Sequence, residues 1–218
     1  MRFVDNAAEA VLAAAKDMLR RNLVEGTAGN ISARQEDGTI VITPSSVDYA
    51  DMVLEDLVVV DLDGTTLQAK DGRSASSEKL LHLACYKAFD DVGSVIHSHP
   101  VYATMFAITH QDIPSCIDEF SIYVGGAVRC TKYAASGTAD VGDAAVEALQ
   151  GRGAALIANH GMVAVGPNPD KALHITALVE RSAQIVYGAR ALGSVVPLPE
   201  QVDAGFASIY QFLRENPM

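Results

Sequence analysis

The sequence predicts a single α/β domain over residues 1–218, with a sheet that is partly antiparallel. Amphipathic helical segments and short apolar strands follow one another without the regular strand–helix–strand alternation of a parallel sheet. An Asp-Gly pair at 37–38 separates two of the strands and is typical of an antiparallel hairpin turn. A chain of 218 residues, 49% of them hydrophobic, is long enough for one sizeable core.

Hydrophobic periodicity and turn residues place the elements of the first half of the chain. The predicted elements are a helix at 7–21, strands at 31–33, 39–42 and 57–62, and a helix at 78–89. Val11, Ala15 and Met18 recur at helical spacing on one face of the first helix. Two serines precede the second helix, and we expect a serine to be its N-cap.

The second half of the chain contains two longer apolar runs, each predicted to be a strand. The predicted elements are strands at 92–96, 154–158 and 162–165 and helices at 101–108, 139–149, 170–192 and 202–214. Pro100 ends the first strand, and Pro197 and Pro199 precede the last helix. Residues 112–138 are predicted to be irregular apart from one strand near Val128.

Charge and composition exclude several classes of function. The formal net charge is −11 and the 16 lysines and arginines are scattered, which argues against nucleic acid and anionic membranes as partners. No apolar run reaches the roughly 20 residues that span a bilayer, and acidic residues come too early for a signal peptide. The three cysteines lack C-x-x-C spacing. We therefore expect a cytoplasmic protein with reduced cysteines.

Three histidines beside the apolar runs are the most informative residues. His97 and His99 follow the run at 92–96, and side chains two positions apart on a strand point to the same side. His160 follows the run at 154–158, within an Asn-His-Gly sequence. Three neutral imidazoles with one open position are the ligand set of a catalytic zinc or similar divalent ion. The pattern predicts Lewis-acid chemistry, the alternative being histidines in a polar loop.

Glu78 and the remaining histidines have simpler interpretations as well. A glutamate after two serines at a helix start is ordinary capping, whereas close to a metal it is a fourth ligand or a general base. For His82, His110 and His174 the simpler interpretation is a polar or core residue with satisfied hydrogen bonds.

Three loops are rich in the small and hydroxyl residues that suit a phosphate dianion. They lie at residues 26–30, 43–46 and 76–77 and offer backbone N–H groups and hydroxyls. None fits the Walker A or the dinucleotide-binding pattern. Each loop alone is explained by turn and cap residues, but together with a metal site they indicate a small phosphorylated substrate.

Five motifs, in order along the chain, resemble the class II aldolase/adducin family, and most closely its L-fuculose 1-phosphate aldolase branch. They are Gly-Thr-Ala-Gly-Asn-Ile-Ser at 26–32, Ile-Thr-Pro-Ser-Ser at 42–46, Ser-Ser-Glu at 76–78, His-Ser-His at 97–99 and Asn-His-Gly at 159–161. The resemblance implies one α/β domain with a central, mainly antiparallel sheet flanked by helices. It also implies a homotetramer with active sites between subunits.

The resemblance implies roles for individual residues. The implied ligands of one Zn²⁺ per subunit are His97, His99, His160 and Glu78. Glu78 is in addition the implied acid/base of turnover. The implied phosphate-binding residues are Gly29, Asn30, Ser45, Ser46, Ser76 and Ser77.

The activity that the resemblance implies is retro-aldol cleavage of a ketose 1-phosphate, such as L-fuculose 1-phosphate, to dihydroxyacetone phosphate and an aldehyde. Cleavage leaves an enediolate with negative charge on adjacent oxygens, which a chelating zinc stabilises without a Schiff base. The carboxylate moves a proton to or from C1 of dihydroxyacetone phosphate, and the bound phosphate anchors the reacting end.

Departures from the family pattern concern mainly the aldehyde side of the site. Ser46 stands where glycine is frequent, residues 116–120 carry acids where the fuculose enzyme has a tyrosine region, and Ser136 replaces an aromatic residue. Within the acidic segment, Asp118 or Glu119 is either a second acid/base or a solvated charge. Tyr210 approximately matches a C-terminal tyrosine of the family's site. Glu119 and Tyr210 are therefore predicted on the aldehyde side.

Other reactions of the family use the same metal site and stay open as alternatives. A pentulose-5-phosphate 4-epimerase breaks the same bond and re-forms it after rotating the aldehyde. Epimerases of the family usually have aspartate after the paired serines, where this chain has Glu78. Decarboxylases and dehydratases share the ligands, whereas adducin-like interaction domains lack the histidines that this chain has.

Overall fold

A computed structural model of the protein describes residues 2–216, which form one α/β domain around an eight-stranded sheet. The strands are β1 (Asn30–Arg34), β2 (Ile40–Ile42), β3 (Val58–Val60), β4 (Thr66–Gln68), β5 (Ser94–Ser98), β6 (Arg129–Cys130), β7 (Ala154–Ile157) and β8 (Gly161–Gly166). Their order across the sheet is β4-β3-β2-β1-β5-β8-β7-β6. Among these strands only β6 and β7 pair in parallel, which confirms the predicted mainly antiparallel sheet.

Seven α-helices and one 3-10 helix surround the sheet within residues 2–216. They are α1 (Ala7–Arg20), α2 (Lys79–Ala88), α3 (Val101–Ile108), α4 (Asp118–Val124), α5 (Ala139–Ala148), α6 (Pro169–Leu192) and α7 (Glu200–Glu215), with the 3-10 helix at Leu54–Asp56. In this part of the chain no helix combines the length and the apolar character that crossing a membrane requires. The predicted arrangement of a sheet flanked by helices is confirmed.

Alternating side chains along the central strands build a separate core on each face of the sheet. On β5, Val95 belongs to the core under α2 and α5, whereas Ile96 belongs to the core under α1. Helices α3 and α6 cover the rest of the second face with side chains such as Phe106 and Val179. Because β1, β5 and β8 are buried on both faces, residues at their ends are held on a rigid frame.

The segment 112–138 is more ordered than the sequence predicts. It contains helix α4, and Val128 forms an isolated bridge with Ile113 just before β6. Helix α4 has only seven residues, so its periodicity is weak, and its buried side chains Phe120 and Val124 pack in the core that α3 and α6 cover. Strand β4 was also not predicted, because its three residues are exposed and carry no apolar alternation.

Candidate metal centre

Four side chains with metal-binding atoms meet at one end of the central strands. His97 lies in β5 and His99 follows it, His160 lies between β7 and β8, and Glu78 precedes α2. One ligand atom from each lies within 4.8 Å of those from the others. Because β5 and β8 are neighbours in the sheet, histidines far apart in sequence are brought together at the same end of these two strands.

The separations within this cluster fit a single divalent ion. His97 Nε2 lies 2.9 Å from His99 Nε2 and 3.2 Å from Glu78 Oε2, and His160 Nε2 lies 3.5 Å from Glu78 Oε1. Two ligand atoms that each bond a tetrahedral zinc at about 2.0–2.1 Å are about 3.3 Å apart. These three separations lie within about half an ångström of that value, and imidazoles with a carboxylate are donors that suit such an ion.

A backbone carbonyl fixes the ring orientation of His97. His97 Nδ1 lies 2.9 Å from the carbonyl oxygen of Met162, which only accepts, so Nδ1 donates its proton there. The ring is fully buried, and its Nε2 is left facing the other ligands. This is the arrangement by which metal-binding histidines are usually oriented.

Burial favours the neutral form of the other two imidazoles. Desolvation, assisted by repulsion from the neighbouring histidines, lowers the pKa of His99 to about 4. Desolvation and His97 likewise lower the pKa of His160. Both rings are therefore neutral at pH 7 and offer the lone pairs that a metal ion requires.

Both carboxylate oxygens of Glu78 accept hydrogen bonds from neighbouring side chains. Asn30 Nδ2 donates to Oε2 at 2.9 Å, and Ser136 Oγ donates to Oε1 at 2.7 Å. Burial acts to raise the pKa of Glu78, but the adjacent His97 imidazole, together with those two bonds, outweighs burial and lowers the pKa. The carboxylate is therefore ionised at neutral pH, as a metal ligand or a general base must be.

The start of α2 corrects one sequence-based expectation. The N-cap residue is Glu78 rather than a serine, and the Glu78 side chain makes no capping hydrogen bond. Ser76 Oγ instead accepts a hydrogen bond from the backbone N–H of Glu78 at 3.2 Å. The Glu78 carboxylate is thus turned away from its own helix and towards the histidines.

Two glycines allow the segments that carry the clustered histidines to approach closely. Gly29 has φ +76°, and a Cβ there would lie 2.8 Å from the carbonyl oxygen of His97. A Cβ on Gly161 would lie 2.6 Å from Cδ2 of His99. No other residue fits at these two positions without displacing the strand end that holds the histidines.

Backbone contacts bring the three predicted phosphate loops together next to the cluster. Pro44 and Ala75 form an isolated antiparallel bridge, and Thr43 Oγ1 accepts a hydrogen bond from the N–H of Ile31 at 3.1 Å. The predicted residues in these adjoining loops are Gly29, Asn30, Ser45, Ser46, Ser76 and Ser77. Their role in phosphate binding stays a prediction.

The two residues predicted on the aldehyde side do not join this cluster within one subunit. Glu119 is exposed in the first turn of α4. Tyr210 of α7 is buried beside Arg214, with Gly153 close by at the start of β7, whereas His160 follows the other end of that strand. Their contribution to an aldehyde site stays a prediction.

The three histidines interpreted as polar or core residues have partners among the described residues. His110 Nε2 lies 2.6 Å from Asn159 Oδ1, and His174 packs edge-on against Tyr123. His82 is fully buried and bonded through both ring nitrogens, which agrees with the simpler interpretation. Its contacts nevertheless reach the cluster, and its position four residues after Glu78 on α2 was the signal for that.

Buried His82 makes the stability of the metal-free protein depend on pH. Burial lowers the pKa of His82 to about 3, below about 6.5 in an unfolded chain. Between these values the unfolded state binds more protons, so stability falls as the pH falls. A pH of 5 lies about 1.5 units below the pKa of the imidazole in the unfolded chain. Protonation of the unfolded state therefore favours unfolding by about 2 kcal/mol at this pH.

Urea unfolding at pH 7 and pH 5 measures this effect. His82→Gln removes the titrating group, so the loss of unfolding free energy between the two pH values is expected to be about 2 kcal/mol smaller in the variant. His99 and His160 are present in both proteins, so they contribute equally to the loss of unfolding free energy in each. Equal losses would contradict a neutral, buried His82.

Comparisons with known proteins agree on one family. The profile described as "Class II Aldolase and Adducin N-terminal domain" matches residues 9–187. A 5-deoxy-D-ribulose 1-phosphate aldolase of Bacillus thuringiensis serovar kurstaki is 35% identical over 193 residues, covering 88% of this chain and 89% of that protein. The L-fuculose phosphate aldolase of Escherichia coli strain K12 is 33% identical over 182 residues, covering 84% and 83%. A solved structure of an L-fuculose 1-phosphate aldolase superimposes with a TM-score of 0.89 at 31% identity, covering 97% of this chain and 99% of that one.

Proposed function

Since the chain belongs to the class II aldolase and adducin family, we propose that it is a zinc-dependent aldolase that cleaves a ketose 1-phosphate to dihydroxyacetone phosphate and an aldehyde. The observation that carries the proposal is the cluster of one carboxylate and three imidazoles beside the hydroxyl-rich loops. This arrangement offers an electrophile, a proton carrier and an anchor for the substrate at one place.

The substrate class follows from what the similar proteins share. The similar proteins include a 5-deoxy-D-ribulose 1-phosphate aldolase and an L-fuculose 1-phosphate aldolase. Both substrates are ketose 1-phosphates, and cleavage between C3 and C4 leaves the same three-carbon phosphate from each. The aldehydes differ, so we propose the ketose 1-phosphate class and leave the aldehyde to experiment.

Binding of the phosphate fixes the reacting carbons relative to Glu78. Backbone N–H groups and the hydroxyls of Ser46 and Ser77, both exposed, suit the dianion. Because these loops adjoin the start of α2, the substrate carbons are held next to the carboxylate rather than in bulk water.

Glu78 is the proposed proton carrier. In the direction of condensation, the ionised carboxylate takes a proton from the hydroxymethyl carbon C1 of dihydroxyacetone phosphate, and in cleavage it returns the proton to that carbon. When bound, the zinc ion supplies electrostatic stabilisation of the negative charge that develops on the two neighbouring oxygens. Asn30 and Ser136 hold the carboxylate while the proton moves.

The first experiment is solvent deuterium incorporation into dihydroxyacetone phosphate by the zinc-loaded protein, with and without a chelator. This half-reaction needs no aldehyde. Exchange that the chelator abolishes would support metal-assisted proton abstraction from a ketose phosphate. Absence of exchange in protein shown to contain metal would contradict the aldolase proposal and favour an epimerase, a decarboxylase or a dehydratase.

Ser46→Asp is expected to weaken binding of the phosphate. Ser46 is exposed with φ 60°, a conformation that aspartate and asparagine tolerate well, so the fold is retained. Like charges about 4 Å apart repel by roughly 1–4 kcal/mol near a protein surface, so KM is expected to rise at least about tenfold. Ser46→Asn, without the charge, is the matched control, and equal KM values for the two variants would contradict the predicted pocket.

A homotetramer with active sites between subunits is part of the proposal. Val101 and Ile108 of α3 and Tyr133 expose more than half of their surface, and Val101 lies two residues after His99. Exposed apolar side chains next to a site favour a subunit contact there. Light scattering is expected to give four times the chain mass of 23.0 kDa, and a monomeric mass would contradict the interface.

A further inference from the structure

We propose that His82 is a positioning residue that aims the Glu78 carboxylate by fixing the orientation of the Asn30 side-chain amide. The inference rests on the proposed role of Glu78 as proton carrier. His82 lies one helical turn after Glu78 in α2, and its Nε2 lies 2.5 Å from Asn30 Oδ1. Asn30 in turn bonds Glu78, so the histidine acts through the amide and touches no substrate.

The hydrogen bond to the ionised Glu78 carboxylate identifies which atom of the Asn30 amide faces it. A carboxylate only accepts hydrogen bonds, so the Asn30 atom 2.9 Å from Glu78 Oε2 is the donor Nδ2. The amide oxygen Oδ1 then faces His82, and a carbonyl oxygen needs a donor. His82 Nε2 must therefore carry the imidazole proton.

The other ring nitrogen of His82 continues the same chain of hydrogen bonds, in which each group donates to the next. With the proton of the neutral ring on Nε2, Nδ1 accepts a hydrogen bond from Ser32 Oγ at 2.7 Å. Ser32 Oγ has then given its proton to His82, so it accepts from the Tyr86 hydroxyl at 2.8 Å. Each donor in the series faces one acceptor, from Tyr86 through to Glu78, with no member left unsatisfied.

Because Asn30 is buried and its backbone is paired in a strand, the main motion left to its side chain is rotation of the amide group. Its backbone is fixed in β1, opposite His97 of β5, and its side chain is enclosed, with 3% of the residue exposed. Rotation of the amide by 180° would place Oδ1 against the carboxylate and Nδ2 against His82. The protonated Nε2 of His82 opposes that rotation, which is why we assign the histidine the positioning role.

The tautomer of His82 is the first test, because it needs neither metal nor substrate. Long-range ¹H–¹⁵N spectra of the metal-free protein are expected to show His82 protonated at Nε2 and unprotonated at Nδ1. His82→Gln identifies the signal by its disappearance, and His174, which packs edge-on against Tyr123, serves as a reference ring. Protonation at Nδ1 would overturn the proposal.

Kinetics of deuterium exchange are the second test. His82→Leu is expected to lower kcat about 10–100-fold, the usual effect of losing a residue that orients a ligand, with KM and zinc content unchanged. His82→Gln is expected to recover most of kcat, because a glutamine amide supplies both a donor and an acceptor. A purely structural role would not lower kcat in His82→Leu alone while KM and zinc content stay unchanged in both variants.

The control variant removes a buried hydrogen bond elsewhere. Thr176→Val deletes a hydroxyl that bonds the Ala172 carbonyl inside α6, and it is expected to leave kcat unchanged.

If His82→Leu raises KM alone, or if it behaves like Thr176→Val, the positioning role is wrong. If the wild-type protein lacks exchange, the proposed function fails, and the tautomer still decides whether His82 orients Asn30. Should His82→Leu not fold, the tautomer and His82→Gln carry the test.

Discussion

His97→Ala is expected to abolish zinc binding and catalysis together. His97 is the fully buried member of the cluster, and its Nε2 lies 2.9 Å from His99 and 3.2 Å from Glu78. Loss of residues that merely orient a ligand weakens metal affinity about 10–100-fold, so loss of a ligand itself is expected to exceed about 100-fold. Zinc content after dialysis and deuterium exchange into dihydroxyacetone phosphate measure the two effects on one sample.

A second histidine variant separates metal loss from general damage. His174→Ala removes a partly buried imidazole that packs against Tyr123 outside the cluster, and it is expected to keep zinc and activity. Comparable unfolding transitions of the two variants without metal would show that the fold is intact. Stoichiometric zinc in His97→Ala would remove His97 from the ligand set.

Glu78→Gln is expected to retain the fold and lose deuterium exchange by about 100- to 10,000-fold, the usual contribution of a general base. The amide has the shape of the carboxylate, and its oxygen can still accept from Asn30. Its NH₂ group can donate to Ser136, whose hydroxyl rotates to accept. The hydrogen bonds are thus kept, while the group that takes the proton is lost.

The matched control for this variant is Glu147→Gln. Glu147 is an exposed acid of α5, so its neutralisation changes the net charge equally without touching the cluster. Exchange at the wild-type rate in Glu78→Gln would exclude Glu78 as the proton carrier. A large loss in Glu147→Gln would show that the charge of the whole chain, rather than one carboxylate, governs the rate.

The clustering of the three histidines was predictable because their signal is local. His97 and His99 are two positions apart, so their side chains point to the same side of a strand. Each histidine motif directly follows an apolar run that predicts a buried strand. Gly29 and Gly161, which the close packing of the site requires, lie inside the same motifs. The sequence therefore predicted the sheet, its flanking helices and the histidines that meet at one end of the central strands.

The surroundings of Glu78 were not predictable, because they depend on contacts between distant elements. Ser136 reaches Glu78 from a loop 58 residues further along the chain, and nothing in its neighbours marks it as a donor. The contact of His82 with Asn30 depends on the packing of α2 against β1, so the spacing of His82 from Glu78 indicates its side of the helix but not its partner. Helix α4 was missed for a similar reason, since its stability comes from packing rather than from its short sequence.

The position of β5 in the sheet has a consequence for the order of folding. Its pairings join Asn30 with His97 and His97 with Val163, so each one closes a loop of roughly 65 residues. Such long-range contacts form late, after helices such as α1 and α6 that need only local contacts. The proposed metal ligands are therefore assembled near the end of folding, and zinc is expected to slow unfolding more than it speeds refolding.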